Sequence, residues 1–148
     1  NSEIDKLNGL DKISALSKLG AYQRIAGLIE DSLATLKMVR QLLSQNNDKR
    51  LSFITELRIA QSIQFKGDFE EAAKIYSGLK NRSSRDSELS DFLDFVYQHM
   101  GKNYFDQQRF DLAMNCFQSA LVVRNQKGES QLIESTLFAI EKTKQNRK

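Results

Sequence analysis

The chain has 148 residues, 40% hydrophobic and 28% charged, a balance that suits one folded domain and excludes a disordered or membrane-embedded chain. It contains no proline, where average usage of about 5% would supply roughly seven, and because proline breaks helix interiors the composition points to a mostly helical protein. A single cysteine, Cys116, excludes an intramolecular disulfide, a single histidine, His99, excludes a Cys/His zinc cluster, and a net charge of +3 raises the question of an acidic partner.

In chain order, the apolar pattern repeats every 40–41 residues within one domain spanning 3–146. The first copy, about 4–46, opens on the amphipathic stretch Ile4-Leu7-Leu10. It continues through Leu16 and Leu19-Gly20 to Ile29, Ser32, Leu36 and Val39, with a turn expected near Ala26-Gly27. Asn46-Asn47-Asp48 ends it. The second copy, about 49–82, carries Ile59-Ala60 and Ile63, a break at Gly67-Asp68, then Phe69, Ala72, Tyr76 and Leu79. Asp68 and Glu71 have the spacing of a helix-capping box. The stretch Asn81–Ser87 reads as a linker to the third copy, about 86–126. That copy carries Met100-Gly101 and Tyr104, a turn at Gln107-Gln108-Arg109, then Phe110, Ala113, Phe117 and Ala120. Each copy thus predicts two amphipathic helices with small residues where their axes approach closely. After Gly128 a closing helix, 129–144, is expected to bury the stripe Ile133, Leu137 and Ile140, with Leu132 and Thr136 beside it.

Groups that do chemistry are scarce. His99 lies five and seven residues from Asp94 and Asp106, spacings that do not bring helix side chains together. Cys116 sits between Ala113 and Phe117 on the inner helix, in the slot held by Ile75 in the previous copy, and reads as a small buried hydrophobe. Glu70, Glu71, Asp91 and Asp94 read as capping or solvated positions. Phosphate loops, zinc-protease motifs and calcium loops are absent, so no enzyme activity, cofactor or metal is expected. Lys142, Lys144, Arg147 and Lys148 supply four bases without an acid, which leaves residues 1–141 at −1. The basic character is that of a tail, which argues against a nucleic-acid face. No apolar run approaches the roughly 20 residues that span a bilayer, and the lone free cysteine favours the cytoplasm.

Tyr97, Met100, Gly101, Tyr104, Ala113, Phe117 and Ala120 together resemble the tetratricopeptide repeat family. Glu56, Ile59, Ala60, Ile63, Ala72, Tyr76 and Leu79 follow the same pattern more loosely, with Glu56 in place of an aromatic and Leu79 in place of a small residue. The 40–41-residue period resembles the longer-helix variant found in bacterial regulators and adaptors. The resemblance implies an all-α, right-handed superhelix of about three helix pairs plus a closing helix, with the first helix of each pair lining a concave groove for a peptide or protein. Placed by that resemblance, the groove positions are Ser14, Ser17, Ala21 and Arg24; Ile54, Leu57, Gln61 and Gln64; and Phe95, Gln98, Lys102 and Phe105. The partner contacts are expected at Arg24, Leu57, Gln61, Gln64, Gln98, Lys102 and Phe105, although the same positions read equally well as solvated or inter-repeat packing residues. The family's clamp for chaperone C-terminal carboxylates, built of Lys and Asn, is largely missing, since Ser17, Ala21, Gln61, Gln98 and Lys102 stand in its slots. The expectation is a non-catalytic binding module, part of a larger protein or a small adaptor. Two alternatives are a self-associating domain, with Ile4-Leu7-Leu10 pairing with a second copy as a homodimer, and the peptide-sensing part of a bacterial transcriptional regulator.

Overall fold

The computed structural model describes the backbone of residues 2–147 and the side chains of residues 9–147. Among the described residues all regular structure is helical: α1 (Ser2–Ile25), α2 (Ile29–Leu43), α3 (Lys49–Lys66), α4 (Phe69–Arg85), α5 (Leu93–Asp106), α6 (Phe110–Lys127) and α7 (Ser130–Asn146). A single 3-10 turn, Ser90–Phe92, precedes α5. The chain packs as two compact units, Asn1–Glu71 and Ala72–Lys148, whose boundary falls in the first turn of α4.

In the first unit α1 and α2 form a hairpin and α3 lies against both. Ile13 of α1 packs with Val39 and Leu43 of α2, flanked by Leu16 and Leu51. Further along, Gly20 faces Leu36 so closely that a Cβ there would lie 2.5 Å from the Leu36 Cγ. The pairing of 13 with 39–43 and of 20 with 36 makes the hairpin antiparallel. Ser32 ties the three helices together, donating to the Gly20 carbonyl at 2.6 Å and lying 2.8 Å from the Ser62 hydroxyl. The second unit repeats the hairpin with α5 and α6, and α7 packs on α6. Here Gly101 meets the Phe117 ring, again sixteen residues on, and a Cβ would lie 2.5 Å from it.

The ends of the helices repeat as regularly as their contacts. Leu28 N–H bonds the Gln23 carbonyl and Gly27 N–H that of Arg24; Asp68 pairs likewise with Ile63, and Gly67 with Gln64; Arg109 pairs with Tyr104, and Gln108 with Phe105. All three are Schellman endings, which need a left-handed residue after the helix. Gly27 (φ 83°), Gly67 (φ 98°) and Gln108 (φ 60°) supply it, at the expected period of 40 and 41 residues. The turns at Ala26-Gly27 and Gln107–Arg109 are therefore where the sequence puts them.

Two elements differ from expectation. The α4 helix runs on to Arg85 through most of the stretch expected to be a linker. Its serines do not break it because Ser83 and Ser84 bond back to the Leu79 and Lys80 carbonyls, at 2.8 and 2.6 Å. In α7 the fully buried side chains are Thr136 and Thr143; Ile133 and Ile140 are half-buried and Leu137 is exposed. The closing helix is thus centred on Thr136, which enters a buried hydrogen-bond network, with Leu132, Ile133 and Ile140 half-buried around it and Leu137 turned outward.

Candidate functional site

The first helices α1, α3 and α5 carry the residues expected to meet a partner. In the first unit α1 and α3 run parallel, since Ser17 meets Thr55 and Arg58 while Arg24 meets Phe65. The Arg24 guanidinium lies 5.2 Å from the Phe65 ring centroid, and both Phe65 and the neighbouring Ile25 are exposed. Leu57, Gln61 and Gln64 are buried. Arg58, which the sequence reading passed over, is half-buried and donates from Nη1 to the Ser17 hydroxyl at 2.9 Å. Burial, and secondly the charge of Arg24, hold the Arg58 pKa below its ordinary value, with Tyr22 acting the other way.

In the second unit Gln98 is buried and its Oε1 accepts from the Thr136 hydroxyl at 2.9 Å. Lys102 is exposed. Phe105 is half-buried, edge-on to Phe110 with ring centroids 5.3 Å apart, and Lys142 Nζ lies 5.2 Å from its centroid. Of the basic tail, Lys142 and Lys144 belong to the last turns of α7 and Arg147 caps it, meeting Asp111 at 3.3 Å, while Lys148 lies outside the described residues. Of the seven expected contact residues, Arg24, Lys102 and Phe105 reach solvent to an appreciable degree and the other four are packed inside.

Asp94 is corrected outright: it is wholly buried, not capping or solvated. Its Oδ2 accepts from Arg124 Nε at 2.9 Å and its Oδ1 from Lys127 Nζ at 2.5 Å. Arg124, itself buried, also donates from Nη1 to Thr136 and to the Leu132 carbonyl, at 2.9 and 3.1 Å. Both cations sit against the Phe95 ring, 5.2 and 5.1 Å from its centroid. One buried carboxylate therefore binds α5 to α6, and its arginine carries the connection to α7. Spacing held a signal for this, since Ala113, Phe117, Ala120 and Arg124 form one 4-3-4 stripe on α6.

A shallow cleft of about 300 Å³ between α4, α5 and α6 is lined by Lys80, Tyr97, Tyr104 and Cys116 among others. Cys116 is half-buried, and burial pushes its thiol up to about 11, against a smaller lowering by Lys80. It stays protonated at neutral pH and is a poor nucleophile there. No helix among the described residues is long and apolar enough to cross a membrane. No protein-family model matches this sequence, and no curated protein matches it.

Proposed function

We propose that the chain is a non-catalytic protein- or peptide-binding module, a tetratricopeptide-like solenoid of the cytoplasm that presents its first helices to a partner. The observation that carries this reading is the repetition itself. Schellman turns recur at 40 and 41 residues, and a glycine meets a large side chain sixteen residues on in both units. The hydrogen bonds from α1 to α3, Ser17 to Thr55, and from α5 to the closing helix α7, Gln98 to Thr136, both span 38 residues. In a solenoid of helix pairs one face of every first helix is left available for a ligand. On that face Arg24 and Phe65 in the first unit and Lys102 in the second present charge and a ring to solvent. The test is quantitative capture from lysate by the wild-type chain and by Arg24→Glu and Lys102→Glu, both checked for unchanged helicity. Loss of shared partners in either variant supports the reading, and equal recovery in both refutes it.

Self-association is the second reading, favoured by exposed apolar side chains at Leu19 and Tyr22 of α1, Met38 and Leu42 of α2, and Leu137 and Phe138 of α7. Of the segment expected to pair, Ile4 and Leu7 lie outside the described side chains and Leu10 is half-buried. Size measured at two concentrations decides it, and a strictly monomeric chain excludes it.

A further inference from the structure

The cleft between α4, α5 and α6, all of it within the second unit, gathers polar groups that the fold itself does not use. Tyr97, Met100 and Tyr104 share one side of α5, away from the side that carries Gln98, Lys102 and Phe105. Met100 is buried, with a half-buried tyrosine about one turn to either side of it. Across the cleft α6 contributes Asn115, Cys116 and Ser119, and Lys80 enters from α4. Among the described residues Lys80 is the one charged side chain of the lining, and no acid lines it. Arg109 adds a second cation at one end, 5.5 Å from the Tyr104 ring centroid. Neither cation makes an ion pair among the described residues, and Tyr97, Asn115 and Ser119 make no side-chain hydrogen bond there. Lys80 is half-buried, so its ammonium has given up part of its hydration without a counter-charge, and a carboxylate would supply one.

The spacing of these groups suits an extended chain. Asn115 and Ser119 lie four residues apart on α6, about 6 Å along the helix, against about 6.7 Å between alternate residues of a strand. They can therefore bond backbone groups along one edge of the same segment. Tyr97 and Tyr104 lie seven residues apart, about 10.5 Å, or roughly three residues of extended chain. A shallow cleft of about 300 Å³ is too small for a helix about 10–12 Å across.

We propose that this cleft binds an extended acidic peptide segment, with an Asp or Glu carboxylate on Lys80, backbone groups on Asn115 and Ser119, and an apolar side chain over Met100 between the two tyrosines. It is a second site, for a separate ligand, on a different side of α5 from the first-helix face.

Cys116 lines the cleft and is the chain's one cysteine, so its alkylation reports occupancy directly. Random heptapeptides displayed on phage are selected on the wild-type chain and counter-selected on Asn115→Trp, which fills the cleft from an exposed position. The selected peptides are expected to carry Asp or Glu beside an apolar residue. A fluorescein-labelled winner should bind Lys80→Met at least about tenfold more weakly, as expected for loss of a charge-assisted bond, and Lys102→Glu with unchanged affinity. At saturation it should slow modification of Cys116 by N-ethylmaleimide, followed by intact mass. Circular dichroism of Lys80→Met and Asn115→Trp should match wild type; if Asn115→Trp does not fold, the Lys80→Met and Cys116 readouts stand without it. Peptides without an acid, affinity indifferent to Lys80→Met, or unchanged modification of Cys116 in the bound complex each overturn the site. Binding lost on Lys102→Glu instead puts the peptide on the first-helix face, which overturns this cleft and supports the first-helix reading. A selection that enriches no cleft-dependent binder overturns the proposal as well.

Discussion

Gly101 and Gly78 make opposite demands on a methyl group. At Gly78, in α4, a Cβ would meet nothing within 4 Å, so Gly78→Ala should gain up to about 1 kcal/mol of helix propensity. At Gly101 the same change drives a Cβ into the buried Phe117 ring. The overpacking cost of about 1–3 kcal/mol should outweigh the propensity gain. Thermal melts of the two variants should therefore move in opposite directions. Asp94 is the other residue on which much depends. Asp94→Asn keeps the shape but leaves Arg124 buried and Lys127 partly buried without their counter-ion, a loss of about 3–5 kcal/mol by comparison with other broken buried pairs. Urea titration followed by circular dichroism measures it, and a loss under 1 kcal/mol would mean that the pair contributes little.

At the scale of the element, the helix ends were the most legible part of the fold. Gly27 and Gly67 announce their turns because a left-handed residue costs glycine almost nothing. Gln108 occupies the same position without that freedom, so Gln108→Gly should stabilise the second unit by roughly 1 kcal/mol, as relief of a strained left-handed residue. A lower melting temperature for Gln108→Gly would show that the side chain makes a compensating contact. The α4 terminus was not legible, because Ser83 and Ser84 look like linker residues until their hydroxyls are seen bonded to carbonyls one turn back. The face of α7 was misjudged for a related reason. An apolar stripe of Ile133, Leu137 and Ile140 outweighs two threonines on any hydrophobic scale, yet Thr136 is drawn inward by Arg124 and Gln98. Periodicity weighs side chains singly, whereas a buried polar network is decided by partners far away in the chain.

For the molecule as a whole, the all-helical class and the 40–41-residue period could be read from apolar spacing, because the same steric problem recurs, at Gly20 against Leu36 and at Gly101 against Phe117. The proposed binding face could be read only in part. Positions inherited by resemblance mark a helix face but not the rotation of each side chain, so Leu57, Gln61, Gln64 and Gln98 went inside while Arg24 and Lys102 stayed out. Arg58 and Phe65 were passed over because nothing local distinguishes them; their meaning comes from Ser17 and Arg24 on a helix some forty residues earlier. The charge of +3, which suggested an acidic partner, says nothing of where one would bind.

Hydrogen–deuterium exchange of the chain with and without the partner that it captures tests the central claim most directly. Binding through the first helices predicts slowed exchange in α1, α3 and α5, strongest around Arg24, Arg58 and Lys102, with α2 and α6 little changed. Protection concentrated on α2 and α6, or none anywhere in a complex that demonstrably forms, would contradict it.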